Sequence, residues 1–149
     1  VWMASSGCNA DCQALKLVLR TKLLAASSTA GGASTTTQQV ASILAYTLYR
    51  RRNFPYYAFC CVAGLCDETK NGMVYAYDAI GSHERVAVAT AGSARELLQP
   101  ILDRLFATMQ KDESNNKDHR NVVDCSQEDV ISILHQAYKS VAERDISVG

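Results

Sequence analysis

The sequence predicts an α+β fold built as a layered sandwich, with helices outside and sheets within. Three observations lead there. The stretch 54–93 contains three strand-like segments in succession, FPYYAFCCVAG, GMVYAYD and RVAVAT. Two amphipathic helical patterns precede it and two follow. The resulting order, βααβββαα, keeps helices in pairs and strands in a run, unlike the strict alternation of a doubly wound sheet.

Taken in order, residues 1–6 (VWMASS) form a short apolar segment closed by Gly7, expected as a buried strand. A helix is predicted from Asn9 to about Ala26. Asn9, Gln13, Lys16 and Arg20 mark its wet stripe, while Ala14, Leu17, Val18 and Leu24 turn inward. Cys8 and Cys12 lie one turn apart, yet no second pair or histidine stands near enough in sequence for a zinc set, so they read as the start of a packed helix. Residues 27–34 (SSTAGGAS) suit a helix–helix connection, and their glycines lack the Lys-Ser/Thr ending of a phosphate loop.

Thr35 with Gln38 gives a capping-box signal, and the helix it opens buries Val40, Ile43, Leu44, Thr47 and Leu48. Arg50, Arg51 and Arg52 follow, where positive charge meets the negative end of the helix dipole. A solvated cap is the first reading of this triplet and a partner's acidic patch the second. As a nucleic-acid patch it is short and isolated in a neutral chain.

The apolar run 56–63 is bounded by Pro55 and Gly64, which favours a strand buried on both faces. Residues 64–72 (GLCDETKNG) form a hairpin loop. The return strand places Met73, Tyr75 and Tyr77 on one face and Val74, Ala76 and Asp78 on the other. Neither face is polar, so both sides of this sheet are expected to be covered. A third strand spans 85–90. Ser93 and Glu96 make another capping box, ahead of a helix with Leu97, Leu98, Ile101, Leu102 and Leu105 inward. Pro100 falls in its second turn, which predicts a tight first turn or a kink. Residues 111–124 are charged and Asn-rich, an exposed loop. Ser126 with Asp129 caps the last helix. Val130, Ile133, Leu134, Ala137 and Val141 face inward there, and Ser132, Gln136, Lys139 and Glu143 outward.

Bulk properties narrow the function classes. A chain of 149 residues fits a single domain, 1–149, burying roughly 70% of its unfolded surface. Fifteen basic and fifteen acidic side chains cancel, so no global field draws it to nucleic acid or anionic lipid. No apolar run approaches the ~20 residues of a membrane span, and no segment reads as a signal peptide. Cys8, Cys12, Cys60, Cys61, Cys66 and Cys125 show no CxxC pair or dense secreted spacing. Most are expected as buried free thiols, in a reducing compartment. His83, His119 and His135, expected on two loops and a helix face, have no spacing that joins them into a metal site or triad. No cofactor motif is present.

The segments FPYYAFCCVAGLCDETKNGMVYAYDAIGS, TAGSARELLQPILD and SVAERD resemble proteasome β-subunits, in the same order from residue 1 to 145. The resemblance implies the four-layer αββα sandwich of the N-terminal nucleophile hydrolases. In that frame the first helix pair covers the sheet holding residues 1–6 and the first two central strands. Strand 85–90 would lie in the second sheet, under the last two helices. Both ends read as cut, with further strands expected before Val1 and after Gly149. The 149-residue piece is therefore expected not to unfold cooperatively when isolated.

Catalytic members of the family use an N-terminal threonine, its own α-amine serving as base. Val1 has no hydroxyl, and Lys16, the first lysine, belongs to a helix's wet stripe. Two accessory positions match the family: Ser93 in AGSA and Asp145 in ERD. The serine expected three residues after that aspartate is Val148 here, with Ser147 one place early. Bland roles exist for both residues, Ser93 as a helix cap and Asp145 as a partner of Arg144 or a loop cap.

The resemblance points to the branch of the family at the sixth β-ring position, and so implies a non-catalytic subunit. In that branch the loop 78–82 borders the substrate cleft of the neighbouring chymotrypsin-like subunit, which makes Asp78 and Ser82 candidate binding residues. The alternative is an ordinary β-turn in which Asp78 accepts backbone N–H groups. The implied partners are the other α- and β-subunits of a 28-subunit barrel of four heptameric rings, with unfolded polypeptides as substrates, and neither nucleic acid nor membrane. The implied location is cytoplasm and nucleus. Two other readings stay open: a threonine endopeptidase with its nucleophile upstream of Val1, and an α+β interaction domain outside the family.

Overall fold

A computed structural model describes residues 1–29, 31, 34–110, 126–146 and 148. These fall into two compact units, Val1–Val86 and Ala87–Gly149. The first contains β1 (Trp2–Gly7), α1 (Asn9–Thr29), α2 (Thr37–Tyr49), β2 (Ala58–Leu65), β3 (Gly72–Tyr77) and β4 (His83–Val86). The second contains α3 (Arg95–Gln110) and α4 (Gln127–Ala142). The element order βααβββαα is the expected one, and the class is α+β.

In the first unit one antiparallel sheet runs β1-β2-β3-β4. Its register sets Met3 against Val62, Val62 against Tyr75 and Tyr75 against Arg85. Side chains alternate across a pleated strand, so Met3, Ala58, Cys60, Val62, Met73, Tyr75 and Tyr77 share one face. That face packs on Cys12, Leu15 and Leu19 of α1 and on Val40, Ala41, Leu44 and Leu48 of α2. The opposite face carries Trp2, Ala4, Phe59, Cys61, Ala63, Leu65, Val74 and Ala76, none of them buried; Trp2 is 83% exposed. Among the described residues of this unit, the helix pair covers only the first of these two faces. The apolar run of β2 hid an alternation, since its second face, Phe59, Cys61, Ala63 and Leu65, is apolar as well.

Three expectations are corrected in this unit. The last strand is His83–Val86 rather than 85–90, and it pairs with β3 in the same sheet instead of entering a second one. α1 continues past Ala26 to Thr29, and its phase is rotated: Leu17 and Leu24 are exposed while Cys12, Leu15 and Leu19 are buried. The segment LKLVL is apolar nearly all round, so periodicity alone admits both phases, and the sheet selects one. The capping box sits one residue later than expected, with Thr36 accepting from the Gln39 amide at 3.1 Å and the Gln39 side chain accepting from the Thr36 amide at 3.0 Å. The run TTTQQ satisfies either register. Thr37 instead donates its hydroxyl to the Leu65 carbonyl at 2.8 Å, fastening α2 to the end of β2. A Cβ at Gly64 would collide with that threonine side chain.

The hairpin between β2 and β3 closes with Cys66 N–H on the Asn71 carbonyl (2.8 Å) and Lys70 N–H on the Cys66 carbonyl (2.9 Å). Its left-handed residue is Lys70, with φ 59°.

In the second unit α3 and α4 pack along a seam of Leu98, Leu102, Phe106, Ile133, Ala137 and Val141. Leu97, expected inward, is exposed, and Phe106 takes an inward place. The tight start predicted from Pro100 is present, with Arg95 N–H and Leu97 N–H each reaching a carbonyl three residues back, at 3.2 and 3.1 Å. Ser126 caps α4 as expected, accepting from the Asp129 amide at 3.2 Å. The loop 111–124, Cys125, His119 and Ser147 lie outside the described residues.

Candidate functional site

The residues singled out in the sequence fall into two places. Asp78 and Ser82 share one turn in the first unit, while Ser93 and Asp145 belong to the second.

The turn between β3 and β4 is built from Asp78 outward. Its carboxylate Oδ1 accepts the amides of Ile80 (3.0 Å) and Ser82 (2.8 Å). Its own amide donates to the Ser82 carbonyl at 3.0 Å, closing the loop. Gly81 is buried with φ 94°, and a Cβ there would run into the Ala45 carbonyl oxygen of α2. Only glycine allows the turn to press this closely on the helix. Asp78, Ile80 and Ser82 are left on the surface. The geometry shows the turn-forming role of Asp78 directly, and it also fixes a carboxylate and a hydroxyl on a rigid, exposed loop.

Ser93 is exposed and follows Gly92, whose φ of 123° bends the chain three residues before α3 begins at Arg95. Asp145 is half-buried just past α4. Its amide donates to the Val141 carbonyl at 2.9 Å, and its carbonyl accepts from the Val148 amide at 3.2 Å. Val148 packs against the α3–α4 core, as does Ala94 beside Ser93.

The remaining chemistry-bearing side chains have structural surroundings. Cys8, Cys12, Cys60, Cys61 and Cys66 are free thiols; only Cys12 and Cys60 are buried, fewer than expected. Burial, reinforced by Cys12 and Cys61, pushes the Cys60 thiol up to about 12, so it stays protonated and is a poor nucleophile. Cys66 lies on the opposite side of its ordinary range, lowered chiefly by a hydrogen bond from the Thr69 side chain. His83 opens β4 rather than lying in a loop, and its ring stacks on Tyr77 at 5.2 Å and 9°. His135 is exposed on α4. Among the described residues no three His, Cys, Asp or Glu side chains gather as a metal site. No described helix is long and apolar enough to cross a membrane.

Two features were missed in the sequence. The Tyr77 hydroxyl donates to the Ala41 carbonyl at 2.7 Å, a buried tie between β3 and α2. Lys22, Tyr46 and Tyr49 join the arginines at the end of α2. The spacing in YTLYRRR, with Tyr46 and Tyr49 one turn before the basic triplet, was the available signal.

An antiparallel sheet backed by a helix pair, with a second helix pair following, defines an α+β chain consistent with part of an N-terminal nucleophile hydrolase sandwich. The family model described as proteasome subunit matches residues 1–149. The chain belongs to the proteasome subunit family. It is 40% identical to proteasome subunit beta type-1 of Dictyostelium discoideum, over 99% of this chain and 59% of that protein. Proteins of the same name from Arabidopsis thaliana and Danio rerio are 34% and 33% identical, each over 99% of this chain, and over 64% and 59% of their own length. The chain thus spans about three fifths of the length of the curated relatives it matches.

Proposed function

We propose that this chain is a non-catalytic β-subunit of the 20S proteasome core particle, at the sixth position of the β-ring, and that residues 1–149 belong to one β-type domain. The similarity to beta type-1 subunits along nearly the whole chain carries this reading. Its partners are then the other α- and β-subunits of four stacked heptameric rings, and the polypeptides degraded inside them. Its location is cytoplasmic and nuclear. The apolar placement of Val148, in the position where a catalytic site would need a serine, supports a structural rather than a chemical role.

In this assembly the 78–82 turn borders the substrate cleft of the neighbouring chymotrypsin-like subunit. Asp78 holds the turn through its two amide contacts, and the exposed hydroxyl of Ser82 is offered to passing peptide. Asp78→Ala removes both contacts and is expected to shift the peptide selectivity of the neighbour; unchanged kinetics over a peptide panel would refute the pocket role. The subunit itself is tested by N-terminal sequencing of the mature chain from its native cell. A first residue other than threonine is expected. A threonine freshly exposed by loss of a propeptide would make the chain a peptidase and overturn the proposal.

A further inference from the structure

The C-terminal end of α2 gathers positive charge on aromatic rings. Lys22 Nζ lies 5.3 Å from the centroid of Tyr46, and the Arg50 guanidinium lies 5.9 Å from the same ring. Arg52 stands 5.0 Å over Tyr49, and Arg51 stands 4.7 Å over the buried ring of Tyr56. Tyr46 and Tyr49 are themselves 60% and 54% exposed, and Phe54 beside them is 82% exposed. Backbone bonds hold the arrangement: Arg50 N–H reaches the Tyr46 carbonyl and Arg52 N–H the Tyr49 carbonyl, both at 3.1 Å. Lys22 is further fixed by donating to Thr47 Oγ1 at 2.8 Å.

Four cations in a chain of zero net charge would ordinarily interleave with acids. Here no carboxylate among the described residues forms an ion pair with any of them. The Lys22 ammonium is held below the usual lysine range, by partial burial first and then by the charge of Arg50. The cluster repels itself.

We propose that this end of α2 is a docking surface for an acidic segment of another polypeptide, whose carboxylates are bound by Arg50, Arg52 and Lys22. A guanidinium laid on an aromatic ring keeps its in-plane N–H fork free, and that fork matches a carboxylate with two parallel bonds. Stacking also removes much of the side-chain freedom that binding would otherwise have to freeze. A nucleic acid fits less well. The rings that would stack bases already carry this chain's own cations, and the chain as a whole has no net positive charge.

The test uses the full-length protein and a fluorescent hexaglutamate peptide, read by anisotropy at low salt. Binding is expected, and Arg50→Gln with Arg52→Gln should weaken it about tenfold or more, as loss of charge-assisted bonds requires. Lys16→Gln with Arg20→Gln removes the same charge from the exposed outer side of α1 and should leave binding unchanged. No binding by the native protein, equal loss in both double variants, or tighter binding of a hexathymidylate would each overturn the proposal.

Discussion

The two units use their helix pairs differently. In the first, α1 and α2 lie on a sheet, and the core is tied at several points by polar groups. Thr37 fastens α2 to β2, Tyr77 fastens β3 to α2, and the Tyr57 amide donates to an Asp11 carboxylate oxygen on α1 at 2.9 Å. In the second, α3 and α4 share one apolar seam of six buried side chains. A seam between two helices can close around a lost methyl group by a small shift of either helix. A helix pair fastened to a sheet cannot, because its polar ties fix the spacing. The first unit should therefore feel a cavity more sharply than the second.

Leu44 and Leu102 test this most strongly. Leu44 has no exposed surface and sits among both helices and the sheet. Leu44→Ala should cost about 4 kcal/mol, toward the upper part of the range for buried leucines, because little relaxation is open to it. Leu102, 2% exposed in the helix seam, should cost about 2–3 kcal/mol when shortened, since the seam can partly collapse. Denaturation midpoints of the full-length protein give both values. A larger loss for Leu102 would break the contrast.

Alkaline pH should separate the units next. The Cys60 thiol is pushed up from 9.0 to about 12, mainly by burial. Its folded pKa lies above its unfolded one, so its contribution to stability is complete below pH 9 and is lost as pH rises from about 9 toward 12. Tyr77, also raised by burial, adds a loss of the same sign. No cysteine is described in the second unit. The first unit should weaken between pH 8 and pH 10, and Cys60→Ala should lessen that slope. A slope unchanged by the substitution would show that the thiol is not the group responsible.

The same difference governs what could be read from the sequence. α4 was legible residue by residue, because its apolar positions follow one stripe and Ser126 with Asp129 marks a single start. α1 was legible as a helix but not in phase, since Leu15, Leu17, Val18 and Leu19 crowd two faces and only the sheet decides which is buried. The β3–β4 pairing was misplaced because VAVA carries strand propensity without turn signals, while the ladder is set by the Asp78 turn that aligns Tyr77 with His83. At the candidate site, the turn chemistry of Asp78 was readable from its position before a glycine. The cationic cluster was not, because Lys22 comes from a different helix and its approach to Tyr46 depends on packing.

The smallest expected effects, at the two helix caps, ask whether the units open separately. Thr36 takes part in a reciprocal box, with bonds to and from Gln39. Ser126 accepts the Asp129 amide, and its hydroxyl donates to the Asp129 carboxylate at 2.6 Å. Alanine at either position removes one amide partner, a loss of about 1 kcal/mol. Ser126→Ala should fall somewhat below that, because the site is exposed and water can take the freed amide. Hydrogen exchange resolves the consequence by location. In Ser126→Ala the amides of α4 should exchange faster while those of α2 keep their protection, and Thr36→Ala should do the reverse. Loss of protection in both helices from either substitution would mean that they open in one cooperative step, and the contrast between a fastened helix pair and a free seam would then have no energetic content.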